Sequence, residues 1–121
     1  MNKIIDLGHI TQLNSIETSW GNQITWTKTP GYVSKIVNIK SNSRANLQFH
    51  QRKEISIYVM AGELIVWDSK DNNSFKKYQA GCAINIKPGT VYSLGTANKH
   101  AFFIEVSTNC VNDVIKVSDG K

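Results

Sequence analysis

The residues of this 121-residue chain with the widest chemical range are three histidines, His9, His50 and His100, and two cysteines, Cys82 and Cys110. A metal site built from three imidazoles would have to use every histidine. Only His50 sits in a patterned context, the run Leu47-Gln-Phe-His50. In a strand, successive side chains point to opposite sides, so Gln48 and His50 share one face and Leu47 and Phe49 the other. Either the polar pair looks into a cavity, or the apolar pair packs inward and the polar pair meets water. Period alone favours the second arrangement, with the polar pair exposed.

The elements that must position these residues are read from punctuation. Turn signals recur at Lys28-Thr-Pro-Gly31, Ser41-Asn-Ser43, Ala61-Gly62, Asp68 to Asn73, Ala80-Gly81, Lys87-Pro-Gly89 and Gly95 to Asn98. Between them lie short segments rich in β-branched and aromatic residues, with no competing helical stripe. Strands are expected at 23–27, 32–40, 47–51, 55–60, 63–67, 74–78, 82–86, 91–94, 101–106 and 114–117. Short strands at such spacing predict an all-β sandwich, jelly roll or barrel. In Ile55-Ser-Ile57-Tyr-Val59 the aliphatic residues face one way, with Ser56 and Tyr58 facing the other.

At 13.5 kDa the chain fits a single domain, with no room for a separate cofactor domain of ordinary size. The formal charge of +5 comes from fourteen Lys+Arg against nine Asp+Glu, twelve of the fourteen being lysine and scattered. Nucleic-acid binders concentrate charge on one face and favour arginine, so a solvated surface is expected and no nucleic-acid partner. The apolar stretch 55–61 is far shorter than the ~20 residues a membrane span needs, so no membrane partner is expected either. The opening Met-Asn-Lys-Ile-Ile-Asp reaches no apolar run of signal length, which points to a cytoplasmic protein with free thiols.

The spacing of special residues resembles the cupin superfamily, whose motifs read G-x5-H-x-H-x4-E-x6-G and G-x5-P-x-G-x2-H-x3-N. The first falls on Asn42, Gln48, His50, Ile55 and Gly62, and the second on Gly81 through Lys87-Pro-Gly89 to Tyr92, with Thr96 in place of asparagine. The chain is most similar to small sugar-type cupins such as the C-terminal domain of type II mannose-6-phosphate isomerases. That likeness rests on Ser19-Trp-Gly21, Tyr32 to Lys40, Leu47-Gln-Phe-His-Gln-Arg-Lys-Glu54, Gly62-Glu-Leu64, Phe103 to Thr108 and Asp113 to Asp119. It implies a double-stranded β-helix, or jelly-roll barrel, over 19–121. Residues 1–18 then form an N-terminal segment, and cupins commonly dimerise through N-terminal strands. Ile4-Ile5 and Ile10 suit that role, so a homodimer is expected.

The resemblance further implies a divalent metal at the barrel mouth, held by the residues of the first and second motifs. Here those positions carry Gln48, His50, Ile55 and Tyr92. Glutamine is ordinary in the sugar-type branch, but isoleucine has no donor atom and neutral tyrosine is a poor ligand for such metals. Glu54 is one residue out of register and would need a bulge to substitute. No metal and no other cofactor is therefore expected.

What remains at the barrel mouth is Gln48, His50, Arg52 and Tyr92, with Lys35 at the position of a lysine common in this branch. An imidazole titrates near ~6.5 and moves protons near neutrality. Metal-free sugar epimerases of the cupin class pair a histidine base with a tyrosine, the role this resemblance implies for His50 and Tyr92. Arg52 suits phosphate or carboxylate, Lys35 an anionic substrate or simply the surface. Trp20, Trp26 and Trp67 offer stacking faces for sugar rings or ordinary core contacts. Three readings follow: a degenerate cupin binding a small polar or anionic metabolite such as a sugar phosphate or nucleotide sugar; a sugar isomerase or epimerase using His50 and Tyr92; and a non-catalytic dimeric module.

Overall fold

The computed structural model describes residues 13–45, 48–68, 74–109 and 114–116, with backbone alone for 48, 49 and 114–116. His9, Cys110 and the N-terminal Ile4-Ile5 and Ile10 lie outside these residues.

The described residues form ten strands: β1 Ile16–Glu17, β2 Gly21–Lys28, β3 Tyr32–Ile39, β4 Gln48–His50, β5 Ile55–Trp67, β6 Phe75–Gln79, β7 Ala83–Ile86, β8 Ser93–Gly95, β9 Ala101–Thr108 and β10 Val114–Lys116. Every pairing is antiparallel. The path runs β1-β2-β3-β9-β5-β6, with β7 and β8 also on β5, and β4 pairs β10 apart from it. The all-β expectation and the double-stranded β-helix both hold. No helix here is long and apolar enough to cross a membrane.

Two boundaries differ from the sequence reading. Strand β1 was not foreseen, because two residues are too few to show a period. The turn expected at Ala61-Gly62 is instead a bend inside one 13-residue strand. Before it, residues 55–58 pair with β7; after it, 63–67 pair with β6 and 65–67 with β8. The β9 register shifts between Val59 and Ala61, leaving Met60 as the extra residue of a bulge. Gly62 makes the bend possible: its φ is +77°, and a Cβ there would come within 1.8 Å of the His100 carbonyl oxygen. One strand thereby serves both walls of the barrel.

The core is the inward face of these strands. Val37, Ile39, Ile55, Ile57, Val59, Leu64, Ile86, Leu94 and Phe103 are buried together, with Tyr92 among them. At the start of the first motif, Asn42 stands where the family has glycine and adopts φ 54°, a left-handed conformation asparagine tolerates better than most residues. The loop it opens is tied to β8. Arg44 Nε donates to Ser93 Oγ at 2.9 Å, and its guanidinium lies 4.0 Å above the Trp67 ring. Thr96 Oγ1 donates to the Lys40 carbonyl and accepts from the Ser43 amide.

Candidate functional site

The strands that enclose the core also enclose a cavity of about 210 Å³. Strand parity chooses its lining. On β3, Lys35 shares the inward face with Val37 and Ile39; on β9, Glu105 shares it with Phe103; Tyr92, just before β8, shares it with Leu94. Trp20 and Gln23 close one side, and His50 and Lys53 enter from β4 and the segment after it.

His50 is placed from two directions. Its backbone pairs with Val114 in the β4–β10 ladder. Its carbonyl accepts the Gly89 amide at 2.7 Å. Gly89 belongs to a turn over Lys87–Thr90 in which Pro88 leads, the Thr90 amide reaches the Lys87 carbonyl at 3.3 Å, and Gly89 holds φ +85°. That is the pattern of a type II turn, which wants proline and then glycine. Three residues later the chain delivers Tyr92, so one short loop fixes both side chains. Tyr92 Oη lies 3.1 Å from His50 Nε2, and both residues are buried, at 5% and 6% exposure. The exposed face favoured from the sequence is thus not adopted at His50, which looks into the cavity.

Burial pushes the Tyr92 phenol above its ordinary range, and the negative charge of Glu105 adds to the effect. Tyr92 therefore keeps its proton at neutral pH and has it available to donate. Burial likewise raises the Glu105 carboxyl, while Lys35 and Lys53 pull it back down. Lys35 and Glu105 are direct cross-strand partners in the β3–β9 register, where opposite charges attract.

Of the residues singled out in the sequence, His50, Tyr92 and Lys35 line this one cavity. Arg52 does not: it is exposed in a bend, and Lys53 lines the cavity beside it. The Gln48 side chain lies outside what the structure describes. Trp20 lines the cavity, Trp67 lies beneath Arg44, and Trp26 is exposed, with Nε1 donating to Ser34 Oγ. His100 is exposed in the turn before β9 and lines a separate hollow with Glu17 and Lys40.

Glu105 and Lys53 were missed. The signal for Glu105 was available: in Ala101-Phe-Phe-Ile-Glu105 the acid falls on the same alternate positions as Ala101 and Phe103, so a carboxylate is placed on the core face. Lys53, between two charged or polar neighbours in a bend, carried no such signal.

The divalent-metal site implied by the resemblance does not fit these residues. Ile55 is a core residue at 2% exposure, and Tyr92 is held neutral. Glu54 does not substitute: the β5–β9 register is unbroken from Ile55 to Val59, and Glu54 lines a hollow with Tyr32 and Val106. Among the described residues no three His, Cys, Asp or Glu side chains gather. Among the described residues the cavity's one carboxylate, Glu105, faces the ammonium groups of Lys35 and Lys53, surroundings that repel a dication.

No protein-family model and no curated protein matches the chain. Solved structures do match. The S161A mutant of Bacillus subtilis oxalate decarboxylase superposes with a TM-score of 0.69 at 14% identity, over 86% of this chain and 30% of that one. The polyketide cyclase RemF from Streptomyces resistomycificus superposes with a TM-score of 0.75 at 19% identity, over 97% of this chain and 86% of that one. The chain thus spans under a third of the decarboxylase. At such identities the likeness shows the fold, which is that of the cupins.

Proposed function

We propose that this chain binds a small anionic metabolite, of the sugar-phosphate class or the sugar end of a nucleotide sugar, inside its barrel. The observation that carries this reading is the convergence of Lys35, Lys53 and the His50–Tyr92 pair on one cavity. Two ammonium groups supply the attraction for an anion, and the imidazole and phenol supply directional hydrogen bonds. Trp20 and Phe103 give the apolar surface a sugar ring packs against. The volume of about 210 Å³ is below the ~300–1,000 Å³ of sites that enclose drug-sized ligands. A monosaccharide unit suits it; a nucleotide would project from the mouth. A thermal-shift screen across sugar phosphates, nucleotide sugars and uncharged sugars tests the reading. Stabilisation by the anionic members alone supports it, and indifference to all of them contradicts it.

The 3.1 Å contact between His50 and Tyr92 favours a second reading, a metal-free isomerase or epimerase resembling those of mannose-6-phosphate metabolism. Tyr92, protonated at neutral pH, hands its proton to a carbonyl oxygen while neutral His50 removes the neighbouring C–H proton, and the electron pair of that bond forms the enediol double bond. The imidazolium so formed returns a proton to the product carbon, and the phenolate recovers its own from the enediol hydroxyl. Incubating sugar phosphates with the protein in deuterated water tests this reading: deuterium at the carbon beside the carbonyl, lost in His50→Ala, supports it. The homodimer expected through the N-terminal segment, and a cytoplasmic location, stand beside these as proposals.

A further inference from the structure

The cavity holds a carboxylate that neither reading above uses. Glu105 is the only acid among the described residues that line it, and two lysines line it from different elements: Lys35 directly opposite on β3, and Lys53 from the segment after β4. The remaining neighbours are His50 from β4, Tyr92 from the segment before β8, neutral Gln23 from β2, and Ile57, the partner of Glu105 on β5. With imidazole and phenol neutral, these residues carry two positive charges and one negative.

We propose that a phosphate dianion entering this cavity is held between Lys35 and Lys53, and that Glu105, losing those partners to the ligand, takes up one proton as the ligand binds. This rests on the anionic-metabolite reading and deepens it. The reasoning is charge balance in a poorly solvated space. Two ammonium groups can neutralise the dianion or share themselves with the carboxylate, but they cannot do both, and an unpaired buried carboxylate relieves its position by protonation. The raised titration range of Glu105 shows that burial already weighs against its charge before any ligand arrives. Once protonated, Glu105 is a hydrogen-bond donor, suited to a ligand hydroxyl or carbonyl oxygen. A carboxylate ligand, as a monoanion, leaves the balance at zero with Glu105 ionised and draws in less than one proton.

Calorimetric titration of the full chain with glucose 6-phosphate, glucuronate and glucose, just above neutral pH in buffers of different ionisation enthalpy, reads the proton directly. The expected result is uptake of close to one proton per glucose 6-phosphate and less with glucuronate. Affinity for the phosphate should fall by up to about tenfold per pH unit between the free and the ligand-bound midpoints of Glu105. Glu105→Gln abolishes the uptake, Glu54→Gln on the opposite face keeps it, and Lys35→Ala and Lys53→Ala each weaken binding at least tenfold. Should Glu105→Gln fold poorly, observing the isotope-labelled Glu105 carboxyl in the unaltered protein gives the same answer, its signal moving to the protonated position on binding. Binding without uptake, uptake that survives Glu105→Gln, or uptake lost in His50→Gln alone overturns the inference and leaves the anionic-metabolite reading standing. Affinity unchanged in both lysine variants overturns the placement of the anion. Failure of both anions to bind overturns the inference and the reading together.

Discussion

Tyr92 and His50 are a buried pair whose hydrogen bond has a measurable worth. Removing the phenol oxygen in Tyr92→Phe leaves a buried imidazole nitrogen without that partner, a cost of about 1–3 kcal/mol. Denaturant unfolding should show this loss with an unchanged dependence on denaturant; an unaltered midpoint would mean the bond contributes nothing. Glu105 gives a prediction with a pH sign. Its folded titration range lies above the ordinary carboxyl value of 4.5, because burial outweighs the two lysines. The stability this contributes is fully present below the ordinary value and is lost as pH rises through the raised one. Glu105→Gln mimics the neutral form, so its melting temperature should exceed the wild type's near neutral pH, the gap closing in acid. A variant less stable than wild type near neutral pH would contradict the assignment. At this scale a residue was legible only where its type was unusual for its face. His50 and Tyr92 stood out by motif position, whereas Lys53 depends on how the bend after β4 is turned, which no local pattern encodes.

The bend in β5 carries the element-scale prediction. Gly62→Ala meets both a left-handed φ and the His100 carbonyl, whereas Gly89→Ala meets only the φ, with nothing within 4 Å of the new methyl. The second should cost about 1–2 kcal/mol, and the first clearly more, since β5 or β9 must shift to admit the methyl group. Thermal unfolding of the two variants checks the order, and equal losses would contradict the steric account. Ala61-Gly62 looks like a turn in sequence because glycine marks both a chain reversal and a bulged bend. What separates them is pairing with strands far along the chain, and that is not a local property. By contrast, the outward Ser56 and Tyr58 and the buried Ile55, Ile57 and Val59 follow their alternation directly, as does the Lys87-Pro-Gly89 turn.

For the molecule as a whole, punctuation and alternation were enough to read an all-β sandwich, jelly roll or barrel, and the resemblance carried by motif spacing narrowed this to the double-stranded β-helix, at identities below 20% to the structures it superposes on. The site is less legible, since it is made by side chains from β2, β3, β4, β8, β9 and four connecting segments that meet only on closure. The misfit of a divalent metal is likewise a property of the assembled cavity. Purified protein should carry well under one transition-metal ion per chain, and a chelator should leave its melting temperature unchanged. Stoichiometric manganese, iron, nickel or zinc by elemental analysis would contradict this.

The central claim is that the cavity lined by the inward faces of β3 and β9 is where this protein meets an anionic metabolite. Titrating the isotope-labelled chain with glucose 6-phosphate, and following its backbone signals, addresses that most directly. The account predicts saturable shifts centred on Lys35, Lys53, Tyr92 and Glu105, with little change under uncharged glucose. Shifts centred on the hollow of Glu17, Lys40 and His100, or none at all, would contradict it.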